Sequence, residues 1–207
     1  PVCSSAASDV YKRQEQQFFQ ESIDKFLEDT VTVDALRSYR TGEDDNLIDD
    51  VFNGLNELGL SGLIIPEEYG GLGLDSLFAI SVSESLGKGV APYPFIGSFL
   101  IAPFLINKLG SDSQKQKYLP SIANGEYRFA VALTEMTGRR IEKGIQSSKQ
   151  KLSGQSLFVM DDIHSTHYLI LDSDGALHIV EAEESGLERV ELKTEDITSI
   201  ESELKMD

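Results

Sequence analysis

The chain is short of positive charge, cysteine and long apolar runs, and each shortage removes a class of function. Lys and Arg number 18 against 35 Asp and Glu, a formal charge of −17. The excess is spread, since residues 1–130 carry 10 basic and 19 acidic side chains and residues 131–207 carry 8 and 16. Sequence-independent affinity for nucleic acid comes largely from cationic side chains on phosphates, so no nucleic-acid partner is expected. An anionic cofactor is still allowed, because backbone N–H groups and single local cations can hold one. Cys3 is the one cysteine and forms no internal disulfide. His164 and His167 stand beside Asp161 and Asp162, but DDIHSTH reads as a polar connection before a strand and lacks a second anchored ligand set, so no metal is expected. No run approaches the ~20 apolar residues of a spanning helix. Reduced-thiol usage without a secretory pattern makes the cytoplasm the expected compartment. Phosphate loops of the GxGxxG or GxxxxGK kind, a nucleophile elbow and HExxH are all missing.

What is present is 40% hydrophobic content, enough for a sizeable core in 207 residues. Residues 1–13 (PVCSSAASDVYKR) are small and polar, and a loose tail, native or appended, is expected there. From Gln14 the spacing turns helical, with Phe18, Phe19, Ile23, Phe26 and Leu27 on one face. Leu47, Val51, Leu55 and Leu58 repeat at threes and fours, which predicts a second helix within Asp44–Leu58, ended by Gly59. GLSGLIIPEEYGGLGLD, residues 59–75, predicts a tight, partly buried passage in which glycine permits close backbone approach. Asp75 or Ser76 can cap a helix over SLFAISVSESLGK. PFIGSFLIAPFLINKLG is apolar almost all round, which predicts burial, with Pro103 ending or kinking the helix. SDSQKQKYLPSIANGE opens with capping residues and should pack Tyr118, Leu119 and Ile122.

After Gly125 the period falls toward two. YRFAVALT, QSLFVM, HYLIL, ALHIV, LERVELK and SIESELKM predict short antiparallel strands, with a two-residue turn at Asp174-Gly175. The fold class is therefore multidomain α+β: an all-helical domain over 14–126, then a small antiparallel β domain over 127–207 that is expected to be incomplete.

Thr134 follows the apolar run RFAVAL at its polar end. Its hydroxyl can donate and accept, and the backbone of Leu133 and Thr134 at a strand terminus can meet a flat heterocycle; ordinary strand-end capping is the alternative. Phe158 reads either as sheet core or as an aromatic edge beside a ligand ring. Arg139 and Arg140 are either exposed turn residues or phosphate contacts. Glu135 reads as a solvated turn carboxylate.

In order along residues 14–207, GLSGLIIPEEYGGLGLD, GSDSQKQKYLPSIANGEYRFAVALTE and the more degenerate SGQSLFVMDD resemble the flavin-dependent acyl-CoA dehydrogenase family. The resemblance implies FAD as cofactor, an acyl-CoA substrate oxidised to its trans-2-enoyl form, an electron-transfer partner and homo- or hetero-oligomers. It implies backbone contacts from Leu133 to the flavin pyrimidine edge, a hydroxyl and amide contact from Thr134, and Phe158 beside the ring where a Trp is usual. It also implies that Val131 lies toward the substrate side. Two departures stand out: MTGRR replaces the usual proline and Gly-Ala-Gly-Ser-Asp turn, and Met160 replaces a threonine. The family's catalytic carboxylate belongs to a C-terminal helical domain, so no catalytic residue is assigned here. A non-catalytic structural subunit of a related complex and an unrelated α+β binding domain are the alternatives.

Overall fold

A computed structural model describes residues 3–43, 46–133, 144–149, 151–162, 164–192 and 202–206. Helix α1 spans Cys3–Thr30. It therefore includes most of the segment expected to be a loose tail; nothing between Cys3 and Thr30 is Gly or Pro, so no such breaker interrupts α1. Helix α2 (Val33–Thr41) is bounded by the Thr32 side chain, which accepts from the Ala35 N–H at 3.1 Å, and by Gly42. Helix α3 (Leu47–Glu57) buries Leu47, Ile48, Val51, Phe52 and Leu55, the stripe its spacing predicts, and stops just before Gly59.

The glycine-rich passage then folds back on itself. Leu72, Gly73 and Leu74 donate their N–H groups to the carbonyls of Gly62, Ile65 and Leu63 at 2.8–2.9 Å. This is the close approach the sequence predicts: a Cβ on Gly71 would lie 2.1 Å from the Ile65 carbonyl oxygen. Helix α4 (Ser76–Lys88) is capped by Asp75, which accepts from the Leu77 N–H at 3.0 Å. A seven-residue π-helix, Phe95–Ile101, runs directly into α5 (Ala102–Leu109). Pro103 thus sits just past the junction of the two and does not end the helix there, since the Ala102 N–H still donates back to the Gly97 carbonyl. The expected burial of this segment holds on one side only: Phe95, Phe99, Ala102 and Ile106 are buried, but Ile96, Phe104 and Leu109 are exposed. Helix α6 (Asp112–Ala123) begins with a reciprocal capping box between Ser111 and Gln114 and buries Leu119 and Ile122.

Strands follow: β1 (Phe129–Ala132), β2 (Gln146–Ser148), β3 (Lys151–Val159), β4 (His167–Leu171), β5 (Leu177–Glu181), β6 (Leu187–Glu191) and β7 (Ser202–Met206). They form two sheets, ordered β1-β4-β5 and β2-β3-β7-β6, joined by a two-way backbone bridge between Val131 and Met160 at 3.0 Å. The α+β architecture matches expectation, with two differences. β1 and β4 pair in parallel, Phe129 opposite His167, because β2 and β3 between them leave for the second sheet and the chain returns in the same direction. The β4–β5 turn is also longer than two residues: Ser173, Asp174 and Gly175 lie between Asp172 and Ala176, which are hydrogen-bonded at 3.0 Å.

Strand β1 is buried on both faces. Phe129 and Val131 join the helical core with Leu169 of β4, while Ala130 and Ala132 join Tyr168, Ile170, Leu204 and Met206 between the sheets. The period-two alternation thus places β1 as the middle layer between helices and the outer sheet.

Candidate functional site

Past Ala132, which is paired with Ile170, the β1 ladder ends and Leu133 emerges, half-buried against the helical core. There it lines an apolar cleft of about 620 Å³ with Ile64, Leu74, Ala79, Leu100 and Phe104; Ser76 and Asn107 add polar groups. That volume is in the range of small-molecule sites, roughly 300–1,000 Å³. Each wall follows from local structure. Ile64 and Leu74 come from the folded-back passage, Ala79 from α4, Leu100 from the π-helix and Phe104, 53% exposed, from α5.

Phe158 lies on β3, 48% exposed and with a φ of 55°, where the pairing with β7 slips between Ser156 and Val159. A left-handed conformation at a bulky residue marks a bulge that turns the side chain out of the regular alternation. The Val131–Met160 bridge is isolated; Leu133 follows Val131 by two residues and Phe158 precedes Met160 by two. Phe158 is not among the described residues that line the cleft with Leu133. Thr134, Glu135, Gly138, Arg139 and Arg140 lie outside the described residues.

Asp161, Ser98 and Asp162 hold contacts that no sequence pattern indicates. The Asp161 carboxylate accepts from the backbone N–H of Gly97 at 2.5 Å and of Ser98 at 3.3 Å, in the first turn of the π-helix. Burial pushes this carboxyl up to about 6, while the two amides pull the other way. Ser98, itself buried, accepts from the Phe129 N–H at 2.8 Å and so ties the same turn to the start of β1. Asp162 is 1% exposed and holds the second sheet instead: it accepts from Tyr168 at 3.1 Å, Arg189 at 2.6 Å, Ser165 at 2.5 Å and the Ser202 hydroxyl. Backbone donors leave no sequence signature, so the adjacent Asp161 and Asp162 look alike in the sequence although they serve opposite sides of β3.

The two histidines of DDIHSTH part company. His164 is exposed in a turn, whereas His167 is buried among Tyr118, Tyr127 and Phe129, with ring centroids 5.6, 4.3 and 5.1 Å away. Burial holds the His167 pKa below its ordinary value, with the Glu181 charge opposing the shift and the Lys117 charge reinforcing it. Among the described residues no helix is long and apolar enough to cross a membrane.

Residues 13–126 match the family described as acyl-CoA dehydrogenase, N-terminal domain. The mitochondrial isovaleryl-CoA dehydrogenase of Arabidopsis thaliana is 31% identical over 158 residues, which is 73% of this chain and 37% of that protein. The chain thus spans little more than a third of the length of this curated relative. Among solved structures, the ChsE4-ChsE5 complex from Mycobacterium tuberculosis superposes with a TM-score of 0.79 at 22% identity, over 93% of this chain and 53% of that one. An acyl-CoA dehydrogenase complexed with FAD from Bacillus anthracis gives 0.72 at 21% identity, over 94% and 35%. At those identities the two structures speak for the fold, and the match over residues 13–126 carries the assignment: the chain belongs to the acyl-CoA dehydrogenase family.

Proposed function

We propose that this chain supplies the helical and β-sheet walls of a flavin-dependent acyl-CoA dehydrogenase that oxidises an acyl-CoA thioester to the trans-2-enoyl-CoA. The observation that carries the reading is Leu133, which leaves the β1 ladder at the rim of a 620 Å³ apolar cleft. The residues fit FAD in kind: a strand end whose pairing stops, an exposed aromatic ring on the strand bridged to it, and an apolar lining that shields a flat heterocycle from water. The FAD complex of the Bacillus anthracis neighbour supports the same cofactor.

Leu133 and Thr134 would hold the pyrimidine edge of the flavin and Phe158 would lie beside its ring system. Leu74, Ala79, Leu100 and Phe104 would take up the acyl chain and exclude water, which strengthens any charge stabilisation at the thioester. When bound, the flavin accepts the β hydrogen as hydride. Removing the α proton needs a base, and the described lining of the cleft carries no acidic or basic side chain. That step therefore falls to a carboxylate outside this lining, and Glu135 is not assigned to it. An electron-transfer partner, an oligomeric complete form and a cytoplasmic location belong to the same proposal; the ChsE4-ChsE5 complex supports the oligomer.

One observation favours a second reading, a non-catalytic subunit of a related complex. Met160 is held by its backbone to Val131 and packs its thioether on the helical core, so it offers a soft apolar group where the resemblance puts a threonine hydroxyl.

The test uses the complete flavin-loaded protein. Thr134→Ala should raise the flavin dissociation constant about two- to twelvefold, the worth of one hydrogen bond of about 0.5–1.5 kcal/mol, and shift the flavin absorbance. An unchanged spectrum and affinity would remove the contact. A complete protein that purifies without flavin, yet binds a flavin-loaded homologue, would select the subunit reading.

A further inference from the structure

We infer that Asp161 is a positioning residue that sets the width of the cleft beside Leu133, and with it the acyl-chain preference of the protein. The inference rests on the acyl-CoA reading of that cleft but concerns a residue outside its lining.

Three elements meet at this carboxylate. Asp161 directly follows Met160, whose backbone bonds Val131 in both directions at 3.0 Å, so its position relative to β1 is fixed. Its oxygen takes the N–H groups of Gly97 and Ser98, donors that open the π-helix and have no partner within that helix. The backbone at Gly97 comes so close that a Cβ there would lie 3.0 Å from the carboxylate oxygen and 3.2 Å from a Val131 methyl carbon. Ser98 adds an independent tie, accepting from the Phe129 N–H at 2.8 Å. The π-helix is therefore pinned to β1 at two points of one turn.

The consequence appears one turn further on. Leu100 and Ile101 of the same π-helix line the cleft, and so does Leu133, two residues beyond Val131. Both stretches are measured from the contact that Asp161 makes. Asp161 itself holds a left-handed φ of 59°, a conformation in which Asp and Asn are enriched among non-glycine residues. A backbone cost is thus accepted at the residue whose carboxylate makes the tie.

Two substitutions separate the acceptor from the backbone. Asp161→Asn keeps an oxygen acceptor and tolerates the same φ, and Asp161→Gly keeps the φ without strain while deleting the acceptor. The complete FAD-loaded protein is titrated by calorimetry with saturated acyl-CoA thioesters of increasing chain length. In parallel, spin labels at Lys108→Cys on α5 and Gln146→Cys on β2, both exposed, report the distance from the helical wall to the sheets with Cys3 replaced by Ser. Asp161→Gly should displace or broaden the distance distribution, weaken the tightest-bound thioester about tenfold and flatten or shift the preferred length, since one methylene against a fitted wall is worth about 10-fold or more. Asp161→Asn should stay within about twofold at wild-type distance. An unaltered distance and length profile in Asp161→Gly overturns the inference, as does equal damage from Asp161→Asn. If the unsubstituted protein binds no thioester while Asp161→Gly alone moves the labels, the pin is real, and the acyl-CoA reading fails together with the claim on chain preference.

Discussion

Replacing Gly71 by Ala should cost more than replacing its neighbour Gly70, and the difference measures how tightly the passage before α4 is closed. The methyl group of Gly71→Ala would lie 2.1 Å from the Ile65 carbonyl oxygen and 2.5 Å from the Ile65 Cβ. Relief requires the two arms of the passage to part by about 1 Å, because neither atom belongs to the far end of a flexible side chain. That separation stretches the three bonds from Leu72, Gly73 and Leu74 to Gly62, Ile65 and Leu63. Overpacking costs about 1–3 kcal/mol and the weakened bonds about 1 kcal/mol more, giving about 3 kcal/mol in all. In a chain of this length that lowers Tm by about 6–12 °C. Gly70→Ala meets no heavy atom within 4 Å and carries only the left-handed penalty at φ 83°, about 1–2 kcal/mol. The assay is urea unfolding of the two variants side by side. Ile64 and Leu74 line the cleft, so Gly71→Ala should also weaken thioester binding. Equal stability losses would show that the passage yields freely and that glycine is not required there for close approach.

The buried network under the second sheet and the acid end of the stability profile give two further expectations. Asp162→Ala should destabilise by about 3 kcal/mol, since it strips the buried Tyr168 and Ser202 hydroxyls and the Arg189 guanidinium of their shared acceptor. Asp162→Asn, which keeps one oxygen, should cost less; a loss below about 1 kcal/mol for Ala would mean that water replaces the carboxylate. Asp172 should make stability acid-sensitive over a narrow window. Burial alone would raise its pKa, but hydrogen bonds from His178, the Ala176 N–H, Ser147 and the Asp174 N–H outweigh it and hold the carboxyl at about 2 against an ordinary 3.8. A lowered folded pKa means that its contribution is complete above about pH 4 and disappears as pH falls toward 2. Urea midpoints of the unsubstituted protein and Asp172→Asn should therefore converge over that interval, and a gap that persists at pH 2 would refute the assignment.

Much of this architecture is legible in the chain because it rests on period and punctuation. The α3 stripe, the Asp75 and Ser111 caps and the six apolar strand runs all become elements near their expected places. What escapes is set by tertiary partners. Helix α2 buries no residue and stands on its Thr32 and Gly42 ends, and β2, with the sequence Gln-Ser-Ser, pairs with β3 without any apolar alternation. The parallel pairing of β1 with β4 depends on where intervening strands go, which no local pattern encodes. The same holds for the candidate site. Leu133 is found from its place at the end of an apolar run, but the bulge at Phe158 and the amide contacts of Asp161 exist only once β3 has met β1 and the π-helix.

The division of labour within the cleft follows from what its walls can and cannot do. Its described lining is apolar except for Ser76 and Asn107, neither of which changes protonation near neutral pH. Such a lining favours an alkyl chain and excludes water, but it cannot withdraw a proton from carbon. Asp161, the carboxylate that ties the π-helix to β1, is occupied by two backbone amides in the first turn of the π-helix. Drawing it into proton transfer would release that turn from β1 and move the wall that holds the chain. Positioning and proton abstraction thus place opposed demands on this carboxylate: the first needs it fixed and hydrogen-bonded, the second needs it free to approach carbon. On the proposed acyl-CoA reading, the base comes to the cleft from outside its described lining, over walls that this chain holds still.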